Sequence, residues 1–272
     1  MELYEYARPD IMAGKTILYL HGFASSGQNG TVRAMTTLLP ETRIVAPDIP
    51  VEPEEALTFL NDLCAKENPD LIIGASMGGM YAELLRGFDR ILFNPAFFLA
   101  DTLQKNNGLG RQEFHNPRRD GQTSFLVTKG LLESFREVSS HCFENMPDNA
   151  SDPSSFGEMT DERDHVYGMF GTHDNFVTGT FDVFRKYYAN AIHFEGEHYM
   201  DDSVLLHSVL PVIERIDDKQ DKRSKPVMFI ALTDVLLDLR NGVSRGKSIE
   251  EMEPYGSAVK AFAALTRNYS PY

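Results

Sequence analysis

The segment Gly74-Ala75-Ser76-Met77-Gly78-Gly79 puts a serine between glycines two positions before and two after it, behind an apolar run and at the head of a helical pattern. That is the requirement of a sharp strand-to-helix elbow. Its serine sits in a strained backbone conformation with its hydroxyl exposed, and strand and helix approach closely only where the flanking residues are small. The chemistry open to such a serine is nucleophilic attack on an acyl carbon. The alternative is a serine that merely caps a helix in a Gly-rich turn; at average Gly and Ser frequencies such a pentapeptide arises by chance in roughly one in ten chains of this length. A phosphate-binding loop fits less well, because neither G-x-x-x-x-G-K-[ST] nor G-x-G-x-x-G spacing is present.

A serine hydroxyl is a weak nucleophile, so a histidine must take its proton and a carboxylate must orient that histidine. Of the eight histidines, His198 in Gly196-Glu197-His198-Tyr199 follows the last predicted strand, where a side chain reaches the carboxyl edge of a sheet. His193 falls within that strand and His207 within the next helix. Asp174 in Gly171-Thr172-His173-Asp174-Asn175 follows the preceding strand and reaches the same edge; its alternative is a turn or capping role, and its rivals Asp201 and Asp202 come after the histidine. The resulting order, Ser76, Asp174, His198, is that of one of the three known triad arrangements. The developing oxyanion needs two donors: the N–H of Met77 at a helix start is one, and the N–H of Phe23 in His21-Gly22-Phe23 is the other. His21 itself reads as a loop-packing residue.

These residues need a frame that brings strand ends together. Lys15 to Leu20, Thr42 to Ala46, Asp70 to Ala75, Arg90 to Phe93, His165 to Phe170 and Ala191 to Phe194 read as short buried strands. Helices are expected over Thr31 to Leu39, Pro53 to about Lys66, Met77 to Arg86, Val177 to Ala189 and Asp202 to Ile216. The alternation predicts an α/β protein with a mostly parallel sheet flanked by helices. Residues 1–216 form the expected main domain, interrupted from about 97 to 164 by a lid-like insertion with one helix over Thr123 to Val138. Residues 217–272 form a C-terminal helical extension, a pair around Pro226 to Leu239 and Ser248 to Thr266, packed on the main domain or joining two copies of the chain as a homo-oligomer.

Composition excludes several classes. At 42% hydrophobic and 24% charged residues the chain is ordinary globular material. No stretch approaches the ~20 apolar residues that cross a bilayer, so no membrane partner is expected. A net charge of −14 opposes nucleic-acid binding, which depends on clustered Lys and Arg; the local group Arg111, Arg118 and Arg119 reads as a solvated loop. Met1 to Tyr6 lacks the basic start and apolar stretch of a secretory signal, and Cys64 and Cys142 lack disulfide or zinc spacing, which together point to a cytoplasmic protein.

Leu18 to Ser26, Gly74 to Gly79 and Asn94-Pro95-Ala96, in that order, resemble the small bacterial YqiA-type esterases of the α/β-hydrolase superfamily, and Gly-Thr-His-Asp and Gly-Glu-His fit that family's last two catalytic loops. The resemblance covers about residues 15 to 216. It implies a triad of Ser76, Asp174 and His198, an oxyanion hole from the N–H groups of Phe23 and Met77, and cleavage of a small-molecule ester without metal or organic cofactor. A thioesterase or acyltransferase with the same triad, or a non-catalytic interaction protein on the same scaffold, are the alternatives. The stretch from Phe97 to Asp164 is longer than that family usually carries. Phe97, Phe98, Leu99, Phe125 and Leu126 would line an acyl pocket or serve as core.

Overall fold

The structure, a computed structural model, describes residues 2–106, 108–146 and 160–222, and residues 1–217 form one compact unit. The elements run β1 (Thr16–Leu20), α1 (Gly30–Leu38), β2 (Arg43–Val45), α2 (Pro53–Glu67), β3 (Leu71–Ala75), α3 (Met77–Leu84), β4 (Arg90–Phe93) and α4 (Leu99–Lys105). They continue with β5 (Gly110–Glu113), β6 (Ser124–Val127), α5 (Lys129–Ser140), α6 (Thr160–Asp164), β7 (Val166–Gly171), α7 (Thr180–Tyr187), β8 (Asn190–Phe194), α8 (Asp202–Val204) and α9 (Leu210–Gln220). Among the described residues, six strands form a parallel sheet in the order β2-β1-β3-β4-β7-β8.

The strands are apolar on both faces because helices cover both. Leu18, Leu20, Ile72, Leu92 and Val166 point to a core shared with α2, α3, α5 and α7. Their alternate neighbours Ile17, Tyr19, Leu71, Ile73, Ile91, Phe93, Tyr167 and Met169 point to the other face, against α1 and α9. Period-two alternation with both sets buried is the pattern of a doubly covered parallel sheet.

The structure departs from the sequence expectations in several places, and within the insertion α4 and α6 are present besides the one helix expected there. The helix expected over Thr123 to Val138 is a strand followed by a helix: β6 pairs antiparallel with β5, and the Thr128 side chain accepts the Leu131 N–H at 3.0 Å, which caps α5 and ends the extended run. The helix expected from Val177 starts at Thr180, because Asp174 Oδ1 takes the N–H groups of Phe176 and Val177 at 2.7 and 3.2 Å and holds those residues in a turn. The closing helix is broken into α8, a wider π-type turn over Leu205–Val209, and α9; Pro211 has no N–H for the turn before it, which the widened winding accommodates. Finally, Arg118 does not lie in a solvated loop. It is 8% exposed, donates to both oxygens of Asp120 and to the Ile49 carbonyl, and stacks over the Phe114 ring at 4.6 Å.

The helical pair expected between 226 and 266 lies outside the described residues, as does part of the insertion. Among the described residues no helix is long and apolar enough to cross a membrane.

Backbones pack closely where α3 leaves β3. A Cβ on Gly78 would sit 2.1 Å from the Leu20 carbonyl oxygen, and one on Gly74 2.2 Å from the Gly78 oxygen. Backbone atoms cannot swing aside as side chains can, so Gly78→Ala should destabilise the fold by about 3 kcal/mol, read as a lowered urea midpoint at unchanged slope.

Candidate functional site

Ser76 occupies the turn between β3 and α3 with φ 55° and ψ −114°, a conformation in which a side chain is strained. The turn is over-determined by its neighbours. The Ser76 N–H donates to the Phe93 carbonyl at 2.9 Å, and the Ser76 carbonyl accepts from Gly79 at 2.9 Å and from Ala96 at 3.0 Å. The hydroxyl therefore stands at the carboxyl end of β3 with no freedom to retreat into the sheet.

His198 and Asp174 reach the same point from the loops after β8 and β7. His198 Nε2 lies 3.0 Å from Ser76 Oγ, and Nδ1 lies 2.8 Å from Asp174 Oδ2. The two side chains are nearly closed to solvent, at 9% and 5% exposure. A carboxylate accepts only, so Nδ1 carries the proton and Nε2 is left as the acceptor for the hydroxyl. Asp174 also serves the capping role weighed against it: Oδ1 fixes the turn while Oδ2 faces the histidine. The rivals go elsewhere. Asp201 caps α8 through the Val204 N–H at 2.8 Å, and His193 packs against the Phe181 ring at 4.1 Å.

Asn94 holds the two loops to the sheet, a role that no sequence signal disclosed although its tripeptide stood out. It is buried, with φ 41°. Its Oδ1 accepts the Gly171 N–H at 2.8 Å, at the root of the Asp174 loop; its Nδ2 donates to the carbonyls of Glu197 and His198 at 3.0 and 3.1 Å. One amide thus uses three hydrogen bonds to set the separation of the acid and the histidine.

On the other side of Ser76, Gly22 lies so close that a Cβ there would meet Ser76 Cβ at 3.4 Å and Oγ at 4.0 Å. The Phe23 N–H has no protein acceptor among the described residues, and that of Met77, first in α3, has none within the helix. His21 is buried, as its loop-packing reading requires, and it also orients the peptide. Its Nδ1 lies 2.8 Å from the Gly22 carbonyl, the other end of the peptide that carries the Phe23 N–H, and its Nε2 accepts from the Ile49 N–H at 3.0 Å. Burial, with Arg118 nearby, pushes the His21 pKa down to about 4, so the ring is neutral, as those two bonds require.

The insertion closes on this loop. The His115 N–H donates to the Ala24 carbonyl at 2.8 Å, Asn116 Nδ2 reaches Ser25 Oγ at 3.1 Å, and Ser26 Oγ donates to the Pro117 carbonyl at 2.7 Å. Ala24 has φ 56°, a strained value that these contacts hold. Phe125 meets the Phe23 ring edge-on at 5.2 Å. Of the residues considered for an acyl pocket, Phe97 and Leu99 are core, while Phe98 and Leu126 are exposed. Among the described residues no group of His, Cys, Asp and Glu side chains has the arrangement of a metal site.

Solved structures with similar backbones include an alpha/beta hydrolase enzyme, MGS-MChE2, from the metagenome of sediments from the lagoon of Mar Chica, Morocco (11% identity, 77% of this chain and 92% of that one, TM-score 0.46). Others are an esterase, EaEST, from Exiguobacterium antarcticum (16%, 77% and 92%, 0.39) and an alpha/beta hydrolase from Novosphingobium aromaticivorans DSM 12444 (13%, 74% and 90%, 0.42). A family profile described as an uncharacterised protein family, UPF0227, matches residues 16–202. With its parallel sheet, its strand-to-helix elbow and that match over most of its length, the chain has the α/β-hydrolase fold and belongs to the UPF0227 family.

Proposed function

We propose that the protein is a serine hydrolase that cleaves small carboxylic esters through an acyl-enzyme. The observation that carries this reading is the unbroken hydrogen-bond chain from Ser76 Oγ through His198 to Asp174, at 3.0 and 2.8 Å. Ser76 Oγ attacks the acyl carbon as His198 Nε2 takes its proton, and Asp174 stabilises the imidazolium by its charge. The oxygen that gains charge turns toward the N–H groups of Phe23 and Met77, the second at a helix N-terminus where the backbone dipole favours an anion. The alkoxide leaves with the proton from His198. Water then enters, gives a proton to Nε2 and bonds through its oxygen to the acyl carbon; as the bond to Ser76 Oγ breaks and the acid leaves, Nε2 returns that proton to Ser76 Oγ.

Ser76→Ala should abolish turnover of p-nitrophenyl acetate and butyrate and remove labelling by a fluorophosphonate; a labelled Ser76→Ala protein would identify another nucleophile and end this reading. Asn94→Ala leaves the partly buried Gly171 N–H without its acceptor, at a cost of about 1 kcal/mol. It should also lower kcat by about tenfold or more, since small misplacements of the acid–base pair are costly. Asn94→Asp, which lacks the two donors, should not restore the rate.

His21 supplies a pH dependence of stability. Its folded pKa of about 4 lies below the ordinary value near 6.5, so the unfolded chain binds more protons between those values and stability falls as pH drops through that window. The loss should reach about 3 kcal/mol by pH 4. In thermal unfolding between pH 7 and 4, His21→Asn should flatten that part of the curve and lower kcat more than it raises KM.

A further inference from the structure

Two large aromatic rings beside His198 are left open to solvent. Phe176 is 52% exposed and Tyr199 68%, and neither joins either face of the core. The Phe176 centroid lies 5.2 Å from that of the imidazole with the planes tilted by 34°. Tyr199 lies 5.4 Å away at 79°, and the two rings are 6.1 Å apart at 63°. Both are anchored through the backbone rather than by packing. The Phe176 N–H donates to Asp174 Oδ1 at 2.7 Å, and Tyr199 follows the residue whose carbonyl Asn94 holds. Adjoining aromatic rings left uncovered beside a candidate site make a contiguous apolar patch of the kind that marks a contact surface.

The chemistry says which contact. Resting on the serine-hydrolase reading, collapse of the tetrahedral intermediate breaks the bond between acyl carbon and alcohol oxygen. The proton that left Ser76 Oγ passes from His198 Nε2 to that oxygen. The departing oxygen must therefore come within about 3 Å of Nε2, which brings the carbon skeleton of the alcohol close to the rings that flank the imidazole. We propose that Phe176 and Tyr199 form the subsite for the alcohol half of the ester, and that this half is a neutral aromatic alcohol. Two rings set at 63° offer a third ring one face and one edge, the two geometries aromatic pairs prefer, whereas a saturated group gains only buried area. A net charge of −14 disfavours an anionic alcohol.

The test separates binding from turnover. The chain has no tryptophan, so the emission of 2-naphthylmethanol can be followed on full-length Ser76→Ala protein. Saturable binding is expected, with benzyl alcohol displacing the probe at about fivefold lower concentration than cyclohexylmethanol. Adding Phe176→Leu and Tyr199→Leu should weaken the probe about tenfold; Phe176→Leu keeps the N–H that Asp174 needs, and Tyr199→Phe, which keeps the ring, should bind as before. In the Ser76 protein, kcat/KM for benzyl acetate over cyclohexylmethyl acetate should exceed one and fall with the same Leu substitutions. Equal displacement by the two alcohols, stronger displacement by choline, or unchanged binding in the double Leu variant would overturn the subsite. Those results would leave ester cleavage standing, whereas ester turnover that survives Ser76→Ala would sink the hydrolase reading and, with it, the alcohol subsite that rests on it.

Discussion

The approach of backbone to backbone where α3 passes the ends of β1 and β3 is the constraint on which the site depends. Gly78 stands against the Leu20 carbonyl and Gly74 against Gly78, with no side chain between them. This closeness fixes the first turn of α3 against the end of β1 and forces the strained conformation at Ser76. It also brings Gly22 beside the serine. The free N–H of Met77 and the peptide that carries the N–H of Phe23 thus border the same hydroxyl because two glycines let a helix lie unusually near a strand. The strain is local and the contacts that hold it are many, the usual circumstance in which an unfavourable φ survives.

The frame and the candidate site were legible in the sequence to different depths. The six parallel strands could be read because each is a short apolar run ended by a turn signal, and the elbow because its glycines have a steric reason. Ser76, Asp174 and His198 meet, as their positions after three separate strands implied. Asn94 was visible only as part of a tripeptide, since nothing in its type or spacing says that its amide will bind two distant loops; that information resides in the packing of β4 between β3 and β7. The β5–β6 hairpin was hidden for a similar reason. Ser124 to Val127 has too few residues to show a period, and its partner strand lies ten residues upstream across a polar connection. Arg118 looked like a solvated charge because its type is usually exposed, but its burial depends on Asp120, Phe114 and the Ile49 carbonyl converging in space.

The described part of the insertion contributes to the site's frame. Its backbone and side chains between His115 and Arg119 bond to Ala24, Ser25, Ser26 and Asp48, and Asp48 in turn accepts the Gly27 N–H. Ile49, next in the chain, donates to His21. The loop that carries the Phe23 N–H is therefore tied on one side to the sheet and on the other to the insertion, and the neutral His21 links the two sets of contacts.

The far end of α3 is held by different physics. Arg90, fully buried, donates to the carbonyls of Ala82 and Glu83, which the end of the helix leaves without intrahelical donors, and pairs with Glu162. Glu83 takes the Tyr188 hydroxyl at 2.9 Å, joining α3 to α7. Burying a guanidinium and a carboxylate costs desolvation that apolar side chains of the same volume would not incur, and Glu83 Oε2 and Arg90 Nε have no hydrogen-bond partner among the described residues. Apolar packing of Met77, Met80, Tyr81 and Ala82 already seats α3 on the core, and the directed bonds to its last carbonyls add a second fixed point. Backbone contact at its start and Arg90 at its end hold α3 at both ends, and a fixed position is what the Ser76–His198 hydrogen bond requires.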